Sequence, residues 1–139
     1  MWPKPHKKNE LFTLADSKWV TKKEYPYASS IYFFSILTVE KKFILFGGWN
    51  TFLSERLGTI ARFDPAKNVW KHLGKLIKPR NRHSVVQLDN NFIIVGGKRY
   101  NNGDHVPTES CKFNIKSKMI CTERKPELPA DMLSFGISN

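Results

Sequence analysis

The sequence predicts an all-β protein made of repeated units, each of four short antiparallel strands. Two observations carry that prediction. The runs "FILFGG" at 43–48 and "FIIVGG" at 92–97 set the double glycines Gly47-Gly48 and Gly96-Gly97 49 residues apart, with Phe43 and Phe92 on the same ruler. Between these marks lie short runs rich in aromatic and β-branched residues, separated by turn chemistry. Further landmarks keep the interval. Ser35 and Ser84 each precede their glycine pair by 12 residues, and Phe12, Phe63 and Phe113 precede Trp19, Trp70 and Ile120 by seven. Pro79 and Ser84 return 50 residues later as Pro129 and Ser134.

Taken in order, residues 11–23 carry the last two strands of one unit, marked by Phe12 and Trp19. In the next unit "SIYFFSIL" is the first strand, and "TVEKK" turns the chain into "FILF". After the glycines a polar loop at 49–58 leads to "GTIARF", and "DPAKN" turns it into "VWKHL". Asp-Pro and Asn supply the turn. The following unit repeats the plan as "RHSVVQL", "DNN", "FIIV", a loop at 98–108, "ESCKF", "NIKSK" and "MICTE". "ADMLSFGISN" at 130–139 opens the first strand of another. The organisation is a basic N-terminal extension (1–10), the end of a partial unit (11–27), two full repeats (28–77 and 78–128) and a further first strand (129–139). Four antiparallel strands per ~50 residues describe one blade of a β-propeller. Closed propellers use about four to eight blades, so the chain is expected to be a fragment of a longer propeller, or an open arc that self-associates through its edges.

These residues resemble the kelch-repeat β-propellers. The carriers are the double glycine, an aromatic about fifteen residues on (Phe63, Phe113), a Trp seven later (Trp70, and Trp19 in the partial unit) and "PRNRHS" at 79–84. The resemblance spans roughly residues 12–139. The second repeat departs from it with Ile120 in place of Trp and Asn114 in place of Asp64, and neither Ser35 nor Ser134 follows a His. The resemblance implies a non-catalytic protein-interaction module, the substrate-recognition part of a ubiquitin-ligase adaptor of BTB-kelch type. An actin-binding cytoskeletal protein is the alternative, and a propeller enzyme (an oxidase or sugar-modifying enzyme) a more distant one. In this family the partner-facing surface is built from loops, which map here to Trp49–Leu57, Lys98–Pro107, Lys75–Arg82 and Lys125–Ala130. They carry Trp49, Arg56, Lys78, Arg80, Arg82, Lys98, Arg99 and Tyr100. Trp49 stands where the other repeat has Lys98, so the repeat does not demand it.

Composition bounds the chemistry. With 139 residues, 40% of them hydrophobic, the chain can form one core. Its formal charge of +11 is scattered rather than gathered into a basic block. The scatter suits a solvated surface that happens to be basic; where the charge does meet a partner, an acidic peptide or protein surface is expected, with nucleic acid disfavoured. No run approaches the roughly 18 apolar residues of a membrane span, so no membrane partner is expected. The start "MWPKPHKKNELF" has no apolar signal region, and a cytoplasmic location is expected.

Two cysteines suit a reducing compartment. Cys111 aligns with Ala61 and should point inward, whereas Cys121 follows Ile120 at the Trp position and should point away. No disulfide between them is expected. The glycines read as structural, giving positive φ and close approach, since no G-x-G-x-x-G follows and no helix opens after them. Trp19, Phe63, Trp70 and Phe113 read as packing residues between units. His83 reads as a hydrogen-bonded structural residue. His6, His72, His83 and His105 show no metal-ligand spacing with the cysteines. Tyr25, Tyr27, Tyr32 and Tyr100 supply no recognisable copper site. No metal, cofactor or catalytic residue is expected, and no enzyme.

Overall fold

A computed structural model of the chain describes residues 9–28, 30–98 and 106–124. The expected first strand at 129–139 and most of the N-terminal extension lie outside the described residues. Eleven strands and no helix occur among those described. β1 (Asn9–Thr13) and β2 (Lys18–Lys22) form a separate hairpin. β4 (Ser35–Val39), β5 (Lys42–Asn50), β6 (Glu55–Asp64) and β7 (Val69–Lys75) form one antiparallel meander, with the two-residue β3 (Ile31–Tyr32) added to the far end of β5. β8 (Asn81–Leu88), β9 (Asn91–Lys98), β10 (Thr108–Phe113) and β11 (Met119–Arg124) form a second.

The meanders share one core. Ile44, Phe46, Ile60, Leu73 and Leu76 of the first pack with Phe92, Ile94, Cys111 and Met119 of the second. At one edge a single parallel bridge, Met119 to Gly74, joins β11 to β7. At the other, the Ser35 hydroxyl on β4 donates to the His83 carbonyl on β8 at 2.6 Å. The sheet thus nearly closes around its apolar interior. Alternation along β5 and β9 explains which side chains enter it: Ile44, Phe46, Phe92 and Ile94 sit two apart on one face. Phe46 and Phe92, one from each repeat, meet with ring centroids 5.9 Å apart.

The glycine pairs do what their repetition implies. Gly47 has φ 61° and Gly96 φ 71°, with Gly48 and Gly97 also positive. A Cβ on Gly47 would come 2.6 Å from the Arg80 carbonyl oxygen. The glycines do not end the strand, however. A bulge between Phe46 and Gly48 lets β5 run on to Asn50, and β9 continues to Lys98. The expected loop at 49–58 shrinks to a turn at residues 51–54. The other turns follow their side chains. Asp64 Oδ1 accepts from the backbone of Ala66 and Lys67, and Asn114 Oδ1 accepts from Lys116 and Lys118.

Two expectations fail for one reason. Cys111 and Cys121 form a disulfide. In the first meander Phe63 pairs with Trp70 and Asp64 with Val69, leaving four residues in the turn. In the second, Asn114 and Lys118 bond across a turn one residue shorter. Met119, not Ile120, therefore lies opposite Phe113, and Cys121 lies directly opposite Cys111. A one-residue shift sends every later side chain to the other face. Ile120 is accordingly exposed and Met119 buried. The disulfide also replaces the expected pair of thiols suited to a reducing compartment, since such bonds persist in oxidising ones.

Gly47→Ala should lose about 1–3 kcal/mol from the left-handed conformation alone, read as a lower urea midpoint. Reducing the disulfide should cost roughly 2–3 kcal/mol for so short a loop. Ellman titration of the unfolded chain before and after reduction checks that the bond is present.

Candidate functional site

Among the described residues, positive φ outside glycine is confined to hairpin turns with two exceptions, Phe33 (φ 54°) and Arg82 (φ 56°). They touch each other. Arg82 N donates to the Phe33 carbonyl at 2.9 Å, and the Arg82 guanidinium lies 4.1 Å above the Phe33 ring centroid. The left-handed residue at Phe33 breaks the expected continuous strand "SIYFFSIL" into β3 and β4. Each such conformation costs about 1–3 kcal/mol. Here they deliver an Arg and a Phe to the surface in stacked form.

The pair is one end of a longer row. The Tyr32 ring lies 6.4 Å from that of Phe33. Tyr32 is the cross-strand partner of Trp49, and Trp49 of Arg56. Arg56 in turn lies over the Trp49 ring at 5.6 Å. Directly paired residues share a face, so Arg56, Trp49, Tyr32, Phe33 and Arg82 form a band of three aromatics with an arginine at each end. Phe52 and Leu53, on the turn after β5, are also exposed. Trp49 thus sits within β5 rather than in the expected loop, and Arg82 within β8.

Arg80 is the opposite case. Expected at the partner-facing surface, it is fully buried. Its Nη2 pairs with Glu109, which is buried too, and its Nη1 donates to the Gly96 carbonyl at 3.1 Å. The Arg80 carbonyl accepts from Gly48 N at 2.9 Å, and Arg80 N donates to the Leu57 carbonyl at 3.1 Å. Glu109 Oε1 accepts from Ile77 N at 2.6 Å and Oε2 from Lys78 N at 3.1 Å. Arg80 therefore holds the crossover between meanders against both glycine pairs. A buried guanidinium persists only when paired and hydrogen-bonded, and this one is. Glu109 was absent from the sequence-derived candidates. Its one signal is a carboxylate beginning a run, "ESCKF", that otherwise reads as core strand.

Lys78 is exposed and contributes its backbone N to Glu109. Arg99, Tyr100 and the loop from Lys125 lie outside the described residues, as does the side chain of Lys98. Of the repeat-marking aromatics, Phe63 is buried and meets the half-buried Trp70 at 4.8 Å. Phe113 lies on the rim of the core, 5.9 Å from Phe92. Trp19 is exposed and stacks on Phe12 at 5.3 Å.

His83 has its expected structural place. Its Nε2 lies 2.8 Å from the Phe46 carbonyl. A carbonyl only accepts, so Nε2 carries the proton. Burial pushes the imidazole down to about 4, with the Arg80 charge acting the same way and the Phe46 hydrogen bond opposing. Glu109 and the two sulfurs lie within 4.8 Å of one another. The sulfurs are bonded to each other and the carboxylate is taken by Arg80, so the trio offers no free donor set.

Glu109→Gln should leave Arg80 buried without its counter-ion and cost about 3–5 kcal/mol, measured by urea unfolding. His83 is neutral when folded and binds its proton near pH 6.5 when unfolded. The unfolded chain therefore takes up more protons between those two values. Stability should fall by roughly 3 kcal/mol as pH drops from 6.5 towards 4. His83→Gln should flatten that slope. In comparisons with known proteins, the chain matches no family model and no curated protein.

Proposed function

We propose that this chain is a protein-interaction module of the kelch-propeller kind that binds an acidic peptide or protein surface through the arginine-ended aromatic band. The band carries the reading. Aromatic residues and arginine are the side chains most enriched among residues that dominate binding energy. The Arg82 guanidinium, stacked on the Phe33 ring, keeps its N–H edge for a carboxylate. The net charge of +11 favours an acidic partner at long range. The propeller assignment rests on the repeat and on two four-stranded meanders that pack through equivalent strands. The role of ubiquitin-ligase adaptor rests on the kelch resemblance alone.

A ladder of rings between cations is also chemically suited to single-stranded nucleic acid, and salt dependence separates the two partners. Binding of an oligonucleotide would weaken steeply with salt, in proportion to the phosphates neutralised. A glutamate-rich peptide containing tryptophan should bind at moderate salt, whereas a poly-U oligonucleotide should not. Arg82→Glu should weaken the peptide about tenfold or more, as loss of a dominant contact does. Preference for the oligonucleotide, or indifference to Arg82→Glu, would overturn the proposal.

A further inference from the structure

Beside the aromatic band, between the β1–β2 hairpin and the first meander, lies a cavity of 1020 Å³. One wall is the segment after β2, with Tyr25 and Tyr27, together with Trp70 of β7; the other is Ile31, Tyr32, Phe34, Leu45 and Leu53. Tyr32 belongs to both the cavity and the band. The first wall is held in place before any ligand arrives. Trp70 Nε1 donates to the Lys23 carbonyl at 2.9 Å, and Lys23 N donates to Asn68 Oδ1 at 2.7 Å. The Tyr25 ring meets those of Trp70 and Tyr27 edge-on, at 5.0 and 5.4 Å. Burial pushes the Tyr25 phenol well above its ordinary range, so the phenol itself stays neutral.

We propose that this cavity is a socket for a large apolar side chain, aromatic or leucine-like, carried by the same acidic peptide that the band binds; the inference rests on that reading. A hollow of this size has room for a drug-sized group, enough for one aromatic side chain together with its flanking backbone, and an aromatic side chain brings about 150–250 Å² of surface to bury. Charge sets the direction. Glu24 and Glu55 outnumber Lys23 among the charged residues that line the cavity, and all three are exposed, so a carboxylate is better placed against Arg82 at the end of the band. The peptide is thereby read as an apolar residue in the socket and carboxylates along the band. A charge bias of this sort gives specificity as well as orientation.

The test uses the whole chain and three fluorescein-labelled peptides. One has a central tryptophan flanked by glutamates, the second has serine for the tryptophan, and the third has lysines for the glutamates. Fluorescence anisotropy should show the first binding at least about tenfold tighter than either control. Leu53→Ser, at the exposed mouth of the cavity, adds no charge and should narrow the advantage of tryptophan over serine, with an unchanged urea midpoint confirming that the variant is folded. Equal binding of the tryptophan and serine peptides would overturn the socket and leave the acidic-partner reading standing. Equal binding of the glutamate and lysine peptides, with tryptophan still required, would overturn the acidic-partner reading and leave an apolar socket. No binding by any of the three overturns both.

Discussion

Everything in the shared core depends on one side chain being accepted inside it. Arg80 enters the interior at the crossover between the meanders, where a guanidinium without partners would be intolerable. Its backbone is tied to Gly48 and Leu57 of the first meander and its side chain to Gly96 and Glu109 of the second. Glu109 in turn holds the backbone at Ile77 and Lys78. The contacts are mutually conditional, since removing any member exposes a buried charge or an unmet donor in the others. Each glycine pair has the conformation it does partly because this arginine lies against it. His83, two strand positions along on the same face as Asn81, completes the layer by donating to Phe46.

The sequence was most legible where local chemistry decides the outcome. Phe43 to Phe46 and Phe92 to Val95 are strands because their aromatic and β-branched residues demand it, and Asp64 and Asn114 make the turns their side chains favour. Gly47 and Gly96 were readable because no other residue adopts their φ cheaply. Prediction failed where one residue of length or a distant partner decided. Nothing in "NIKSKMIC" announces that its turn is one residue shorter than "DPAKNVW", yet that difference sets the face of Met119 and joins Cys111 to Cys121. Arg80 resembled a surface arginine because its partner, Glu109, lies 29 residues away. Trp49 stands outside the repeat in sequence, but its place in a strand depends on the bulge at Gly47 and on pairing with Tyr32.

The band at the surface shows the converse of the Arg80 layer. There a buried charge is paired and hydrogen-bonded; here Phe33 and Arg82 hold unfavourable backbone angles in order to remain exposed. Strain of this sort survives only where the surroundings over-determine it. The hydrogen bond from Arg82 to Phe33, and the stack of the same two side chains, do so. Because Phe33 follows β3 directly, it also sets where Tyr32 and Phe34 fall, and so couples the shape of the cavity to that of the band.

The disulfide lies at the edge where β11 meets β7 through a single bridge, the thinnest seam in the sheet. Seams of this kind breathe, and amide exchange reports such local openings at a fraction of the global unfolding free energy. Without a covalent tie, opening here would let β11 peel from β10 as well. With Cys111 bonded to Cys121, the β10–β11 hairpin swings as a closed loop, and the strand left bare is β7. Slow exchange at Cys121 beside fast exchange at Gly74 would be the mark of a gate hinged on one side only.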